Sequence, residues 1–334
     1  MQSATLGRTG PQVGAIGLGC MGMSPGVYGA SDEAESIATI RAATEAGITL
    51  IDTGDFYGMG HNEMLIRRAL EGVPRASVVI SVKFGALRDP SWGWGGNDCR
   101  PAAVKNFLAY SLRRLGTDYI DVYRPARLDP AVPIEDTVGA IADMVRAGYV
   151  RHIGLSEVGA ATVRRAHAVH PIADLQIEYS LMSRGVEAEI LPACRALGTA
   201  ITAYGVLSRG LLSGKVPPPG SKGDMRLVRM PRFAPGNLDD NLRLVEALKA
   251  VADEKGATTA QLAIAWVRSR GADIVPVIGA RRRDQLAESL GALGLSLNAA
   301  DLARIEAAVS PALTAGARYD PTQLAHLDSE GTHS

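Results

Sequence analysis

Excess charge of either sign is absent from this chain of 334 residues: 35 Lys and Arg balance 35 Asp and Glu. A formal net charge of zero removes the whole-protein electrostatic argument for a nucleic-acid partner. No apolar run approaches the roughly 18 residues that span a bilayer, so no membrane partner is expected. Cysteine is scarce. Cys20, Cys99 and Cys194 are odd in number, far apart and without metal-ligand spacing, which predicts a reducing cytoplasm and no metal. The opening MQSATLGRTGPQVG lacks the charged-then-apolar pattern of a secretory segment. No GxSxG, HExxH or paired-carboxylate signature competes for the chemistry. What is present is ordinary for a globular protein: 46% hydrophobic and 21% charged residues exclude disorder and fibrous repeats. At about 150 residues per domain, the length allows two ordinary domains or one large α/β domain.

Apolar, β-branched runs alternate with amphipathic helical stretches. Strands are predicted at 13–18, 49–52, 77–83, 119–124, 150–155, 174–177, 200–204 and 274–278. Helices are predicted at 32–46, 62–71, 101–115, 133–147, 160–169 and 186–197, with Asp32 opening the first and Gly47, Gly116, Gly148 and Gly198 ending four of them. Strands about 25–35 residues apart, each followed by a helix, imply parallel neighbours, because parallel pairing needs a crossover. Eight such units predict an α/β fold, a closed (β/α)8 TIM barrel in one domain with its core at about 13–310. The remaining residues would form an N-terminal β-hairpin (5–14) plugging the barrel bottom, a mobile Pro/Gly/Arg-rich loop (216–236) and a C-terminal extension (311–334).

The competing architecture is an open doubly wound sheet. Gly17-Leu18-Gly19-Cys20-Met21-Gly22 matches G-x-G-x-x-G after a strand. That motif binds a pyrophosphate only if a helix opens at once. Here Met23-Ser24-Pro25-Gly26 follows, and Pro25 cannot continue a helix. The glycines instead suit close backbone approach to a ligand at the mouth of the first strand.

In a parallel barrel the working residues sit at the C-terminal ends of strands and in the loops beyond them. Those positions hold Asp52, Lys83 and, in the loop after Asp52, Tyr57. Taken singly, Asp52 reads as well as a helix cap and Lys83 as a solvated strand end. Together they form an acid device. The ammonium is expected to lower the tyrosine pKa, the carboxylate to hold the ammonium in place, and the phenol to protonate a developing alkoxide.

With these residues in place the chain resembles the aldo-keto reductase superfamily over nearly its whole length. The carrying segments are Leu6-Gly7-Arg8-Thr9-Gly10, Gly17–Ser24, Ile51-Asp52-Thr53-Gly54-Asp55-Phe56-Tyr57-Gly58, Ser111–Asp121, Ile153-Gly154-Leu155-Ser156-Glu157, Gln176-Ile177-Glu178-Tyr179-Ser180 and Leu207–Leu212. The likeness is closest to the bacterial and plant branch carrying MGMS near the first strand. It implies NADPH-dependent reduction of a small aldehyde or ketone, with Asp52, Tyr57 and Lys83 as three members of a catalytic tetrad and Tyr57 as proton donor. The fourth member, a histidine after strand four, is where the chain departs. In Asp121-Val122-Tyr123-Arg124-Pro125-Ala126-Arg127-Leu128-Asp129-Pro130 the slot falls on Ala126. Arg124 shares a strand face with Ala126 and would reach the cavity, or be buried against a carboxylate inside the barrel, or leave the space to water.

The resemblance also implies a cofactor site. Gly19, Cys20 and Met21 would line it at the first strand. Ser156, Glu157 (often Asn in relatives) and Gln176 would address the carboxamide, and Tyr204 would stack on the nicotinamide unless it is a core aromatic. The backbone around Gly205, Leu207, Arg209 and Gly210 would cradle the pyrophosphate. Gly279, Arg281, Arg282, Gln285, Glu288 and Ser289 would hold the adenosine end, where guanidinium groups suit a phosphate dianion and favour NADPH over NADH. Tyr28, Trp92 and Trp94, with Arg124 and Ala126, would shape the substrate pocket. Two other readings stay open: an NADP(H)-binding redox-sensing regulatory protein with vestigial activity, and a barrel lyase using Lys83 as a Schiff base. Oligomeric state has no signal in the sequence.

Overall fold

The computed structural model describes residues 2–25, 28–29, 31–91, 93–217, 221 and 224–331. Eight parallel strands close a barrel in sequence order. They are β1 (Gly17–Gly19), β2 (Leu50–Gly54), β3 (Val79–Phe84), β4 (Ile120–Pro125), β5 (Val150–Ser156), β6 (Ile172–Glu178), β7 (Ala200–Tyr204) and β8 (Ile274–Gly279). The strands are nearly all buried, as expected when helices cover the outside and side chains fill the inside. The doubly wound alternative is thereby excluded. The Gly-rich run after β1 makes only a short 3-10 turn, Met21–Met23, and the first α-helix waits until Glu33–Glu45.

Local signals position these elements. The Asp32 side chain accepts from Glu35 N at 3.0 Å and caps the first helix. Gly116 and Gly198 end Pro101–Leu115 and Ile190–Leu197 at φ of 66° and 73°, a conformation that favours glycine. Two predicted elements differ. The apolar run 13–18 is divided between a hairpin strand, Gln12–Gly14, and β1, because both halves are buried and the pattern alone does not show the bend between them. The predicted helix 186–197 is a 3-10 turn, Gly185–Glu187, followed by Ile190–Leu197. Pro192 fits the first turn of that shorter helix but would break a longer one.

The N-terminal hairpin pairs Ser3–Thr5 with Gln12–Gly14. From its turn, fully buried Leu6 packs with Leu50, Val79, Val122, Ala200 and Val275, sealing the barrel bottom. The other end of the barrel is the mouth. Above it lie a hairpin of Ala86–Arg88 and Trp94–Asn97, the described part of segment 216–236, and the C-terminal segment with its short helix Pro321–Leu324.

Candidate active site

Pairing sets Asp52 beside Ser81, and Gly54 beside Lys83. Strand alternation turns Asp52, Ser81 and Lys83 into the barrel. Lys83 Nζ donates to Asp52 Oδ1 and, at 2.8 Å, to Gln176 Oε1. Gln176 Nε2 and Ser81 Oγ donate to Asp52 Oδ2 at 2.8 and 2.9 Å. Both ions are buried, and such a pair is tolerable only when its remaining hydrogen-bonding capacity is met.

Tyr57 opens the turn Tyr57–Gly60 after β2. Lys83 Nζ lies 5.3 Å from its ring centroid, and Phe56 meets the ring edge-on at 4.8 Å. The expected electrostatics are corrected here. Burial, then the Asp52 carboxylate, push the Tyr57 pKa well above the ordinary value, against the pull of Arg127. Burial likewise lowers Lys83. In this closed state the phenol therefore keeps its proton through neutral pH, and the ammonium stands ready against the charge that a phenolate would develop.

Ala126 is buried just past the end of β4 and offers no donor. Arg127 folds back so that Nη1 donates to Ala126 O at 2.6 Å. The expectation that Arg124 contacts substrate is corrected. The side chain is wholly buried one layer below the mouth, ion-paired to Asp174 at 3.0 Å.

Glu157 follows β5 in the left-handed region, at φ 54°. Its carboxylate accepts from Glu178 N at 3.0 Å, Tyr204 Oη at 2.6 Å and Ser329 Oγ at 2.8 Å, and from both terminal nitrogens of Arg318 at 3.0 and 2.6 Å. Burial works against the charge, but the Arg318 guanidinium holds the Glu157 pKa down at about 2. With these donors in place Glu157 anchors the C-terminal segment, a role that the carboxamide assignment did not foresee. Tyr204 is half-buried and its hydroxyl also meets Tyr319 Oη at 2.9 Å. Ser156 is buried beside Gln176 in register.

After β7, Gly205 (φ 65°), Arg209 (φ 57°) and Gly210 (φ 93°) form a tight turn just past Leu207. Arg209 Nη2 stands 3.5 Å from Glu178 Oε2, and neither atom makes a hydrogen bond. After β8, Gly279 is exposed with nothing within 4 Å of where a Cβ would stand. Gln285 Oε1 accepts from Arg281 N at 2.9 Å, and Arg281 Nη1 donates to Tyr28 O at 2.7 Å. Glu288 pairs with Lys215 at 2.7 Å and Arg282 with Asp284 at 2.8 Å. Ser289 is buried with its hydroxyl turned back onto Gln285 O. Cys20 is buried too, and burial raises its thiol pKa far above the ordinary value. Gly19 and Met21 on either side of it are half-buried.

Trp92 lies outside the described residues. Trp94 sits on the rim, 42% exposed, with the Arg88 guanidinium between it and Phe56 at 5.6 and 5.8 Å. The Tyr28 ring faces Arg226 at 5.2 Å. Arg318, Tyr319 and Ser329 were missed by the sequence reading because an irregular tail carries no periodic signal. Glu178, which also pairs with Arg232 at 3.5 Å, stood in a quoted segment without a role. A cavity of about 490 Å³ opens at the opposite end of the barrel, lined by Gly7, Arg8, Arg195, Gly198 and Asp273. Two of its charged lining residues, Arg195 and Asp273, are taken up by their own ion pair at 2.7 Å.

The model of the Aldo/keto reductase family matches residues 15–310. Among curated proteins, a probable aldo-keto reductase of Glycine max is 41% identical over 321 residues, covering 96% of this chain and 92% of that one. Among solved structures, the glycerol dehydrogenase of Gluconobacter oxydans superposes with a TM-score of 0.83 at 27% identity, covering 92% and 96% of the two chains. The holo form of an aldo-keto reductase of Bacillus halodurans gives 0.78 at 26% identity, covering 96% and 99%.

Proposed function

The chain belongs to the aldo/keto reductase family, and from that premise we propose that it reduces a small aldehyde or ketone with NADPH, Tyr57 giving the proton. The family at large reduces carbonyls with nicotinamide cofactors. The residues present fit such a group. Arg209 keeps a buried donor without a hydrogen bond, and Gly279 leaves open space at the β8 end. Arg281 is crowded by Arg226 and Arg282, so that burial and like charge lower its pKa. A phosphate dianion would relieve that crowding, which favours NADPH over NADH. Gly19, Cys20 and Met21 would line one wall, with Ser156 and Tyr204 at the nicotinamide, while Glu157, held by Arg318, and Gln176, held by Asp52 and Lys83, would support them from behind. Gly205, Leu207, Arg209 and Gly210 would flank the pyrophosphate, and Arg281, Arg282, Gln285, Glu288 and Ser289 the adenosine end. When bound, the cofactor supplies a hydride to the carbonyl carbon.

The chain's own part is the proton. Burial keeps Tyr57 protonated, so the hydroxyl is a donor for an alkoxide forming beside it. The Lys83 ammonium, fixed by Asp52 and Gln176, stabilises the phenolate left behind. Ala126 gives the carbonyl no second donor, which favours aldehydes over hindered ketones. The observation carrying this reading is the buried Asp52–Lys83–Gln176 constellation against the Tyr57 ring.

The test is NADPH oxidation with a panel of small aldehydes. Tyr57→Phe is expected to lower kcat by about 100-fold or more while NADPH still quenches protein fluorescence with unchanged affinity. Full rate in that variant would overturn the assignment. Ala126 also favours a second reading, a redox-sensing NADP(H)-binding regulator; tight cofactor binding with no turnover on any carbonyl would select it.

A further inference from the structure

A second ion pair lies inside the barrel beneath Asp52 and Lys83. Arg124 on β4 and Asp174 on β6 are both 0% exposed. Arg124 Nη1 stands 3.0 Å from Asp174 Oδ2 and donates to Thr202 Oγ1 at 3.2 Å, and Thr202 in turn donates to the same carboxylate at 2.6 Å. The backbone makes room for the pair at Gly154, where a Cβ would stand 2.6 Å from Asp174 Oδ1 and 3.1 Å from Arg124 Nε. Those last two atoms have no hydrogen-bond partner.

Stability is a poor reason for this arrangement. Taking two charges out of water costs several kcal/mol each, and apolar side chains of similar volume often serve as well or better. Here, moreover, one donor and one acceptor are left unmet. The other arm of Arg124 shows where the pair acts. Nη2 donates to Ser81 Oγ at 2.8 Å. A hydroxyl that accepts from a guanidinium directs its own proton elsewhere, and the acceptor within reach is Asp52 Oδ2, 2.9 Å away. The carboxylate can only accept, so the bond runs from Ser81 to Asp52 in any case; Arg124 holds Ser81 Oγ in the place from which it donates. That bond, with Gln176 Nε2, occupies Oδ2 and leaves Oδ1 to Lys83.

We propose that Arg124 is a positioning residue for the carbonyl reduction: clamped by Asp174 and Thr202, it holds Ser81 where it donates to Asp52 and so fixes where Asp52 holds Lys83 under Tyr57. Its charge also reaches Lys83, adding to burial in making that ammonium more acidic, while the Asp52 carboxylate opposes both. Asp174 confines the guanidinium to this layer. The inference rests on the reading that Asp52, Lys83 and Tyr57 carry the acid step.

Three full-length variants test it on the best aldehyde of the panel: Ser81→Ala, the paired replacement Arg124→Met with Asp174→Leu, and Tyr57→Phe. The first two are expected to lower kcat by about tenfold, with KM and NADPH affinity within about twofold. The paired variant removes a positive and a negative charge together, so the comparison is made at the parent's pH optimum. A merely structural pair would leave kcat per folded enzyme at the parent value. If Ser81→Ala and the paired variant keep the parent kcat while Tyr57→Phe is inactive, the positioning role is overturned and the acid assignment stands. If Tyr57→Phe is fully active, it is the acid assignment that fails. Should the paired variant not fold, Ser81→Ala decides alone, since it cuts the link and leaves the ion pair intact.

Discussion

Two carboxyl groups at the barrel mouth are both buried, and their pKa values move in opposite directions. Asp55, beside Tyr57, has neither oxygen hydrogen-bonded. Burial, then the charge of Glu63, push its pKa up to about 8. Arg114 does not rescue it, because its Nη1 goes to Glu63 Oε2 at 3.0 Å. Glu157, across the mouth, collects Arg318, Tyr204, Ser329 and a backbone N–H, and is held at about 2. Burial is the same cost in both places. The donors decide the charge. On the Tyr57 side of the mouth the Asp55 carboxyl is therefore neutral at pH 7, and on the side that anchors the C-terminal segment the Glu157 carboxyl is ionic.

The largest expected effect lies on the Asp55 side. Its folded pKa is raised above the unfolded value of 3.8. The folded chain thus carries a proton that the unfolded chain lacks between about pH 4 and 8. Stability is fully present below that window and falls as pH rises through it, by up to about 1.4 kcal/mol per pH unit. Asp55→Asn is expected to match the parent near pH 4 and to exceed it by several kcal/mol at pH 8, read from urea unfolding midpoints. Glu63 keeps its own slope, since burial raises its pKa as well. A parent–variant difference that does not grow with pH would mean that Asp55 finds donors in solution and that the contrast is lost.

On the Glu157 side the sign reverses. Its pKa falls from 4.5 to about 2 on folding. Its contribution is present above about pH 4.5 and is lost as pH drops toward 2, about 3 kcal/mol in all. Arg318→Met removes the partner and leaves the carboxylate inside the barrel, so a loss of similar size, about 3 kcal/mol, is expected at pH 7. Below about pH 2 parent and variant should converge in the same urea titration. If they stay apart, Arg318 acts through packing and not through charge.

The contrast also shows what the sequence made legible. Asp52 and Lys83 fall at the ends of regular strands, and the barrel rule locates strand ends, so their convergence could be read from the chain; Gln176 was expected at the carboxamide, and its bonds to both were not foreseen. Tyr57 followed from its place in the loop beyond Asp52. The sign of its pKa shift did not, because it depends on how far the surrounding loops exclude water. Asp55 stood in the same quoted segment as Tyr57, yet its lack of donors is a property of Glu63 and Arg114, which come from two separate helices. Glu157 was found, but its partner was not: Arg318 lies 161 positions away in a segment with no periodicity. The Arg124–Asp174 pair was foreseen as one option, and only packing around Gly154 decides it.

The rim supplies a control with the smallest expected effect. Arg88, like Arg318, is a cation at the mouth, but aromatic faces hold it in place of carboxylates: Phe56 at 5.8 Å and Trp94 at 5.6 Å. Burial lowers its pKa, and it remains charged at any pH where the protein folds. A ring quadrupole has no proton to lose, so the attraction does not titrate. Trp94 is 42% exposed, and a cation–π contact at such a site contributes about 0.5–1 kcal/mol. Trp94→Ala should therefore lower stability by about that amount, and by the same amount at pH 4, 6 and 8, in parallel urea titrations. A difference that varied across this range would tie Arg88 to a carboxylate in place of the rings, with its sequence neighbour Asp89, whose charge reaches it, the first candidate.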